Sequence, residues 1–162
     1  MDMESLLALN TPAFTTSIAD CSPSNSSPFV IGWKEFCGAE LTARRDELRS
    51  ALLRMVDALP QHGIASPIIM LGGSFLREDD APHPRDMDTV VFYETLSDER
   101  PVTLSRFQRQ IRGLGDLDVR FMPLDLAAID VIKLAAYFAT LFAADKTDKG
   151  RPNGVILLDL AR

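Results

Sequence analysis

Cysteine and histidine are scarce in this chain: Cys21, Cys37, His62 and His83 are all there are. Four such scattered residues make no zinc set of the usual spacing, and two cysteines do not make a disulfide framework. Cys37 is expected to be buried and Cys21 incidental, and His83 reads as an exposed loop histidine. Basic residues are in the minority, 17 against 23 acidic, for a net charge of −6. That balance argues against binding nucleic acid by bulk electrostatics, so a polyanionic ligand would have to meet a local basic patch. A long uninterrupted apolar run is also missing. The most apolar stretch, residues 126–144, is broken by Asp130 and Lys133 and reads as a buried amphipathic helix with no membrane span, its Tyr137, Phe138, Leu141 and Phe142 belonging to the core. The start, Met1-Asp2-Met3-Glu4-Ser5, is acidic where a signal peptide would be basic, and Leu6-Leu7-Ala8-Leu9 is too short for a signal core. The expectation is a cytoplasmic protein with no membrane partner.

What is present is ample apolar material, 46% of 162 residues, enough for the core of one globular domain. Residues 1–28 end in the run Cys21-Ser22-Pro23-Ser24-Asn25-Ser26-Ser27-Pro28 and read as an irregular lead-in, so the domain is assigned to 29–162. Phe29-Val30-Ile31-Gly32 is a short extended piece, and Trp33-Lys34-Glu35-Phe36 a single helical turn whose aromatics anchor the lead-in. Leu48, Ala51, Leu52, Met55, Val56 and Leu59 follow helical spacing, which predicts a helix over about 41–59 stopped by Pro60-Gln61-His62-Gly63. Its Arg44-Arg45-Asp46-Glu47 run reads as the solvated face. A second helix is marked by Leu104, Phe107, Ile111 and Leu114, with Arg106, Arg109 and Arg112 on its other side. Val155-Ile156-Leu157-Leu158-Asp159-Leu160 reads as a closing strand.

The chemistry concentrates between Leu71 and Tyr93. Pro67-Ile68-Ile69-Met70-Leu71 reads as a buried strand, and the Gly72-Gly73-Ser74 turn after it lets backbone N–H groups and a hydroxyl approach a ligand with no side chain between. Asp86 and Asp88 lie two apart where a second strand begins, so both carboxylates point to one face. Two like charges so close call for a counter-charge, and a hard divalent cation is the usual one. Asp118, in Leu117-Asp118-Val119-Arg120-Phe121, offers a third carboxylate from another alternating stretch, with Asp116 as the fallback.

A Gly-Gly-Ser turn, an Asp-x-Asp and a later isolated Asp, each flanked by strand-like residues, form a pattern that resembles the polymerase-beta superfamily of nucleotidyltransferases. Over residues 29–162 the Trp-x-x-Phe anchor, the Gly-Ser-Phe turn, Pro-x-Asp-x-Asp and the terminal Gly-Val-Ile-x-Leu-Asp-Leu also look like a family of short bacterial nucleotidyltransferase-like proteins with no settled substrate. The resemblance implies an α+β fold, a small mixed β-sheet with helices packed on it. It implies a metal-dependent transfer of a nucleoside monophosphate from a nucleoside triphosphate to a hydroxyl acceptor, with release of pyrophosphate. Asp86, Asp88 and Asp118 then match the catalytic, Mg²⁺- or Mn²⁺-binding carboxylates, and Gly72, Gly73 and Ser74 the phosphate-cradling turn. Arg77, Arg85, Lys149 and Arg151 are candidate phosphate contacts. The chain departs from the pattern at Glu78-Asp79-Asp80, negative where a triphosphate would lie, and at Asn153, where a lysine is expected; both point to weakened nucleotide affinity or a changed substrate.

A reading from another class stands beside this one: a catalytically silent nucleotide- or partner-binding module, such as an antitoxin-like half of a two-protein system or a regulatory subunit. In either case the basic features, Arg106, Arg109 and Arg112 and the loop Lys146 to Arg151, are small. They suit a nucleotide, a partner protein or a small-molecule acceptor better than a long polyanion. Labelled RNA and DNA titrated at roughly 150 mM salt are therefore expected to bind no more tightly than the roughly 10⁻⁴ to 10⁻⁶ M of non-specific binders. Sub-micromolar, steeply salt-dependent binding lost on replacing the three arginines would point instead to a nucleic-acid acceptor.

Overall fold

The helix with the clearest periodicity organises one side of the molecule. Leu48, Ala51, Leu52 and Met55 recur at three- and four-residue intervals, so they share one face of α3 (Ala43–Ala58), and all of them are buried. Pro60 falls in a 3₁₀ turn over Leu59–His62, and Gly63 leaves it in the left-handed region at φ 76°, which ends the helix and starts the sheet. A computed structural model of the chain describes residues 2–77, 84–96, 104–111, 116–144 and 153–161. Loop residue His83, the acidic run 78–80, Arg112 and the loop holding Lys146, Lys149 and Arg151 lie outside the described residues.

The described strands are β1 (Phe29–Gly32), β2 (Ile64–Gly72), β3 (Met87–Thr95), β4 (Leu117–Pro123) and β5 (Ile156–Asp159), in a sheet of order β1-β5-β2-β3-β4. β2 runs antiparallel to both β3 and β5, while the β3–β4 and β1–β5 pairs are parallel. The sheet is thus mixed, as the α+β expectation required. Residue alternation sorts its side chains into two layers. Ile31, Ile69, Leu71, Met87, Val91, Ile156 and Leu158 pack against α1 (Met3–Ala8), α2 (Trp33–Gly38), α3 and α4 (Leu104–Ile111) in the larger core. On the opposite face Met70, Val90, Phe92 and Val155 meet Phe138 and Phe142 of α5 (Ala128–Ala143). Among the described residues no helix is long and apolar enough to cross a membrane.

Four expectations need correction. The lead-in is not irregular throughout: Asp2 accepts a hydrogen bond from the Ser5 N–H, capping α1, and Met3, Leu6 and Leu7 are buried in the larger core. A Ser- and Pro-rich tail had masked an amphipathic turn upstream of it. The Arg44-Arg45 pair is not the solvated face of α3, since Arg45 is only 3% exposed. α5 is not a buried helix, because only the Phe138 and Phe142 stripe faces the sheet, while Tyr137 is 58% and Leu141 41% exposed. Tyr137 falls in the exposed stripe that Asp130, Lys133 and Thr140 form at three- and four-residue intervals, opposite Phe138 and Phe142. Cys37 is only partly buried, although that burial is enough to push its thiol pKa up, ahead of the opposing effect of Arg49.

The smaller layer depends on a close approach at the end of β2. A methyl group added at Gly72 would lie 2.7 Å from Phe142 Cγ, so only a residue without a side chain lets α5 reach this part of the sheet. Gly72→Ala is expected to destabilise the fold by about 1–3 kcal/mol through overpacking. Urea unfolding checks it, and an unchanged midpoint would show that α5 does not need the bare backbone at Gly72.

Candidate functional site

The site lies where β2 ends and β3 and β4 begin. Gly72 pairs with Asp88 across the antiparallel β2–β3 ladder, and Asp88 pairs with Asp118 across the parallel β3–β4 ladder. Parallel partners point to the same side, so Asp88 and Asp118 stand next to each other on the α5 face of the sheet. Beyond Gly72 the chain turns through a 3₁₀ segment, Gly73–Leu76, held from below by buried Phe75, which packs 6.3 Å from the Phe36 ring centre. Gly73 has φ 70°, and a methyl there would sit 2.9 Å from the Asp88 Cγ and closer still to its Oδ2. The Asp88 carboxylate therefore occupies the space that the missing Gly73 side chain leaves.

Asp86 lies one residue before β3, and its carbonyl accepts a hydrogen bond from the Ser74 hydroxyl at 3.4 Å. The turn and the start of β3 are thus tied together, with the expected Gly72, Gly73, Ser74, Asp86, Asp88 and Asp118 in one neighbourhood. The other candidates fare differently. Arg85 is exposed and forms an ion pair with its neighbour Asp86 at 3.3 Å. Arg77 sits where the turn exits, half-buried, its carbonyl accepting from Arg45. Arg106 and Arg109 lie on the exposed side of α4.

Arginines, rather than like-charged neighbours alone, surround these carboxylates. Asp118 is paired with Arg120, two residues along β4 and on the same face. Asp116, the fallback carboxylate, is engaged by Arg44, which also bonds Glu47 at 3.1 Å. Those hydrogen bonds, to Asp116 first and Glu47 second, raise the Arg44 pKa, so the guanidinium stays charged at any working pH. Among the described residues no three His, Cys, Asp or Glu side chains are grouped closely enough to hold a metal ion. The residues fit a cation as an adjacent pair, Asp88 with Asp118, backed by a turn in which a side chain on Gly73 would displace the Asp88 carboxylate; the Asp86 carboxylate is turned to Arg85.

Sequence reading missed Arg44, Arg45 and Arg120. Two of them, Arg45 and Arg120, carried a signal. Arg45 stands three residues before Leu48 and seven before Leu52, on the buried stripe of α3, and Arg120 alternates with Asp118 on β4.

The larger relations follow from comparison. A model of a family of unknown function, DUF6932, matches residues 27–159. The chain belongs to that family. The DUF6932 match takes in the Gly-Gly-Ser turn and all three aspartates, and leaves out α1. No curated protein and no solved structure matches the chain.

The steric relation between Gly73 and Asp88 makes a direct test. Gly73→Ala is expected to cost about 1–3 kcal/mol from its left-handed backbone and to push the Asp88 carboxylate out of its place. Chemical-shift changes centred on Asp88 and Asp118, with the β1–β5 ladder unmoved, are the expected NMR result. Shifts confined to the turn itself would show that the carboxylate does not depend on Gly73.

Proposed function

We propose that this protein is a metal-dependent nucleotidyltransferase of the polymerase-beta type, which moves a nucleoside monophosphate from a nucleoside triphosphate to a hydroxyl acceptor. The observation that carries the reading is the row Gly72, Asp88, Asp118 across three strands, with the Gly73–Ser74 turn folded against Asp88. Asp88 and Asp118, joined by Asp86 if it leaves Arg85, are the residues to hold Mg²⁺ or Mn²⁺. Such an ion, when bound, supplies charge neutralisation on the phosphates and lowers the pKa of the attacking hydroxyl.

The chain's own part is to position. The backbone N–H groups of Gly73 and Ser74, and the Ser74 hydroxyl once it leaves the Asp86 carbonyl, are the candidates for the outer phosphates, because these two residues are only partly buried beside Asp88. Arg77 and Arg85 flank the turn and the start of β3, as candidate phosphate contacts. The acceptor oxygen bonds to the α-phosphorus as the bond to the pyrophosphate oxygen breaks, and the hydroxyl proton passes to solvent. Most of the rate comes from alignment and charge stabilisation, with no covalent enzyme intermediate. The acidic chain favours a protein or small-molecule acceptor over a long nucleic acid.

One observation favours a second reading, a silent nucleotide- or partner-binding module. Asp118 and Asp86 each have an arginine partner, which relieves the repulsion that would otherwise demand a cation. Incubating the protein with each α-labelled nucleoside triphosphate and Mg²⁺ or Mn²⁺, with and without cell extract, separates the two. Transfer of label that Asp88→Asn abolishes is the expected result. Mg²⁺ is also expected to raise the melting temperature of the wild type, by an amount equivalent to about 2.7 kcal/mol at a hundredfold excess over Kd, and not that of Asp88→Asn. Thermal protection by a nucleotide with no transfer to any product would favour the silent module.

A further inference from the structure

Two consecutive arginines in the first turn of α3 reach the two strand entries and the turn that make up the candidate site. The Arg45 side chain, 3% exposed, donates from Nε to the Phe75 carbonyl at 2.9 Å and from its other end to the Arg77 carbonyl. It therefore binds the last residues of the Gly73–Leu76 turn. Arg44 points the other way. It donates from Nε to the Pro84 carbonyl at 3.1 Å and from Nη2 to the Arg85 carbonyl at 2.8 Å, and it also engages the Asp116 carboxylate. Asp116 in turn accepts the Met87 N–H on its own carbonyl at 2.9 Å, which locks the start of β3 to the start of β4.

We propose that Arg44 and Arg45 form a clasp that sets the Gly73–Ser74 turn against Asp88 and Asp118, acting as positioning residues for the cation and phosphate site. The proposal rests on the nucleotidyltransferase reading for what is positioned, and on the hydrogen bonds alone for the clasp. One helical turn thus holds both the exit of the Gly73–Leu76 turn, at Phe75 and Arg77, and the entry to β3, at Pro84 and Arg85. The turn cannot drift from the aspartates of β3 and β4 while both guanidinium groups are in place. The chemistry needs arginine. Four acceptors, two carbonyls and two carboxylates, are reached by Arg44 from separate N–H groups of a planar fork, and a lysine ammonium cannot span them.

A purely electrostatic role and a positioning role differ in sign. Removing a positive charge near a cation site should tighten cation binding by Coulomb's law, and keeping it as lysine should leave binding unchanged. Loss of positioning should weaken binding in both cases. The test uses the full chain and Mn²⁺ alone, titrated by the loss of the free-ion EPR signal at temperatures where circular dichroism shows each variant folded.

Arg44→Gln and Arg44→Lys are each expected to weaken Asp88-dependent Mn²⁺ binding by roughly 10-fold, as loss of an outer-shell partner does. Arg45→Lys should do the same. Hydrogen exchange at the Met87 amide in the Arg44 variants, and at the Arg77 amide in Arg45→Lys, should quicken. Unchanged exchange at both amides, or unchanged or tighter Mn²⁺ binding despite faster exchange, would overturn the proposal. If Arg45→Lys does not fold, the two Arg44 variants decide. A wild type with no Asp88-dependent Mn²⁺ binding would overturn the cation reading instead, and exchange at Met87 and Arg77 would then decide the clasp by itself.

Discussion

The register of β3 between β2 and β4 is the constraint on which the rest depends. Gly72 opposite Asp88, and Asp88 beside Asp118, hold only in this pairing, and a slip of β3 by one residue would turn Asp88 into the larger core, away from Asp118, and Met87 and Val91 out of it. Burial of that apolar set against α3 and α4 is what makes the slip prohibitive. The position of two carboxylates is thus secured by the side chains that alternate with them and point the other way.

Close approach on the α5 side adds a second constraint. Gly72 admits Phe142 and Gly73 admits the Asp88 carboxylate, so consecutive glycines serve different neighbours, one apolar and one charged. The first joins a helix to the sheet; the second leaves room for the Asp88 carboxylate. Either glycine alone would read as an ordinary turn residue. Together they bring the end of β2, the start of β3 and α5 into close contact at the edge of the smaller core.

The charge pattern around the site is one of pairing. Arg85, Arg120 and Arg44 engage Asp86, Asp118 and Asp116, and the first two pairs are largely exposed, so each contributes little to stability. Their consequence is local: they hold carboxylates in place and temper their repulsion. A cation or a triphosphate entering here would exchange partners with arginines already present. Arg45 differs, since it is buried and donates hydrogen bonds to the main-chain carbonyls of Phe75 and Arg77.

The α3 helix, the strands around Ile69, Val91 and Ile156, and the Gly-Gly-Ser and Asp-x-Asp elements were legible in the chain itself. Periodicity and turn chemistry are local properties, carried by residues a few positions apart. Alternation predicted one shared face for Asp86 and Asp88, whereas Asp86 stands one residue before β3 with its carboxylate paired to Arg85. Three things were decided only by tertiary structure: that Asp118 stands beside Asp88, that α5 turns Tyr137 and Leu141 outward, and that Arg44 and Arg45 point into the fold. Each depends on which segments distant in sequence meet, as Asp88 and Asp118 do. A helix stripe or a strand face specifies a surface, and only the partner packed against it settles whether an arginine there is solvated or clasps a loop.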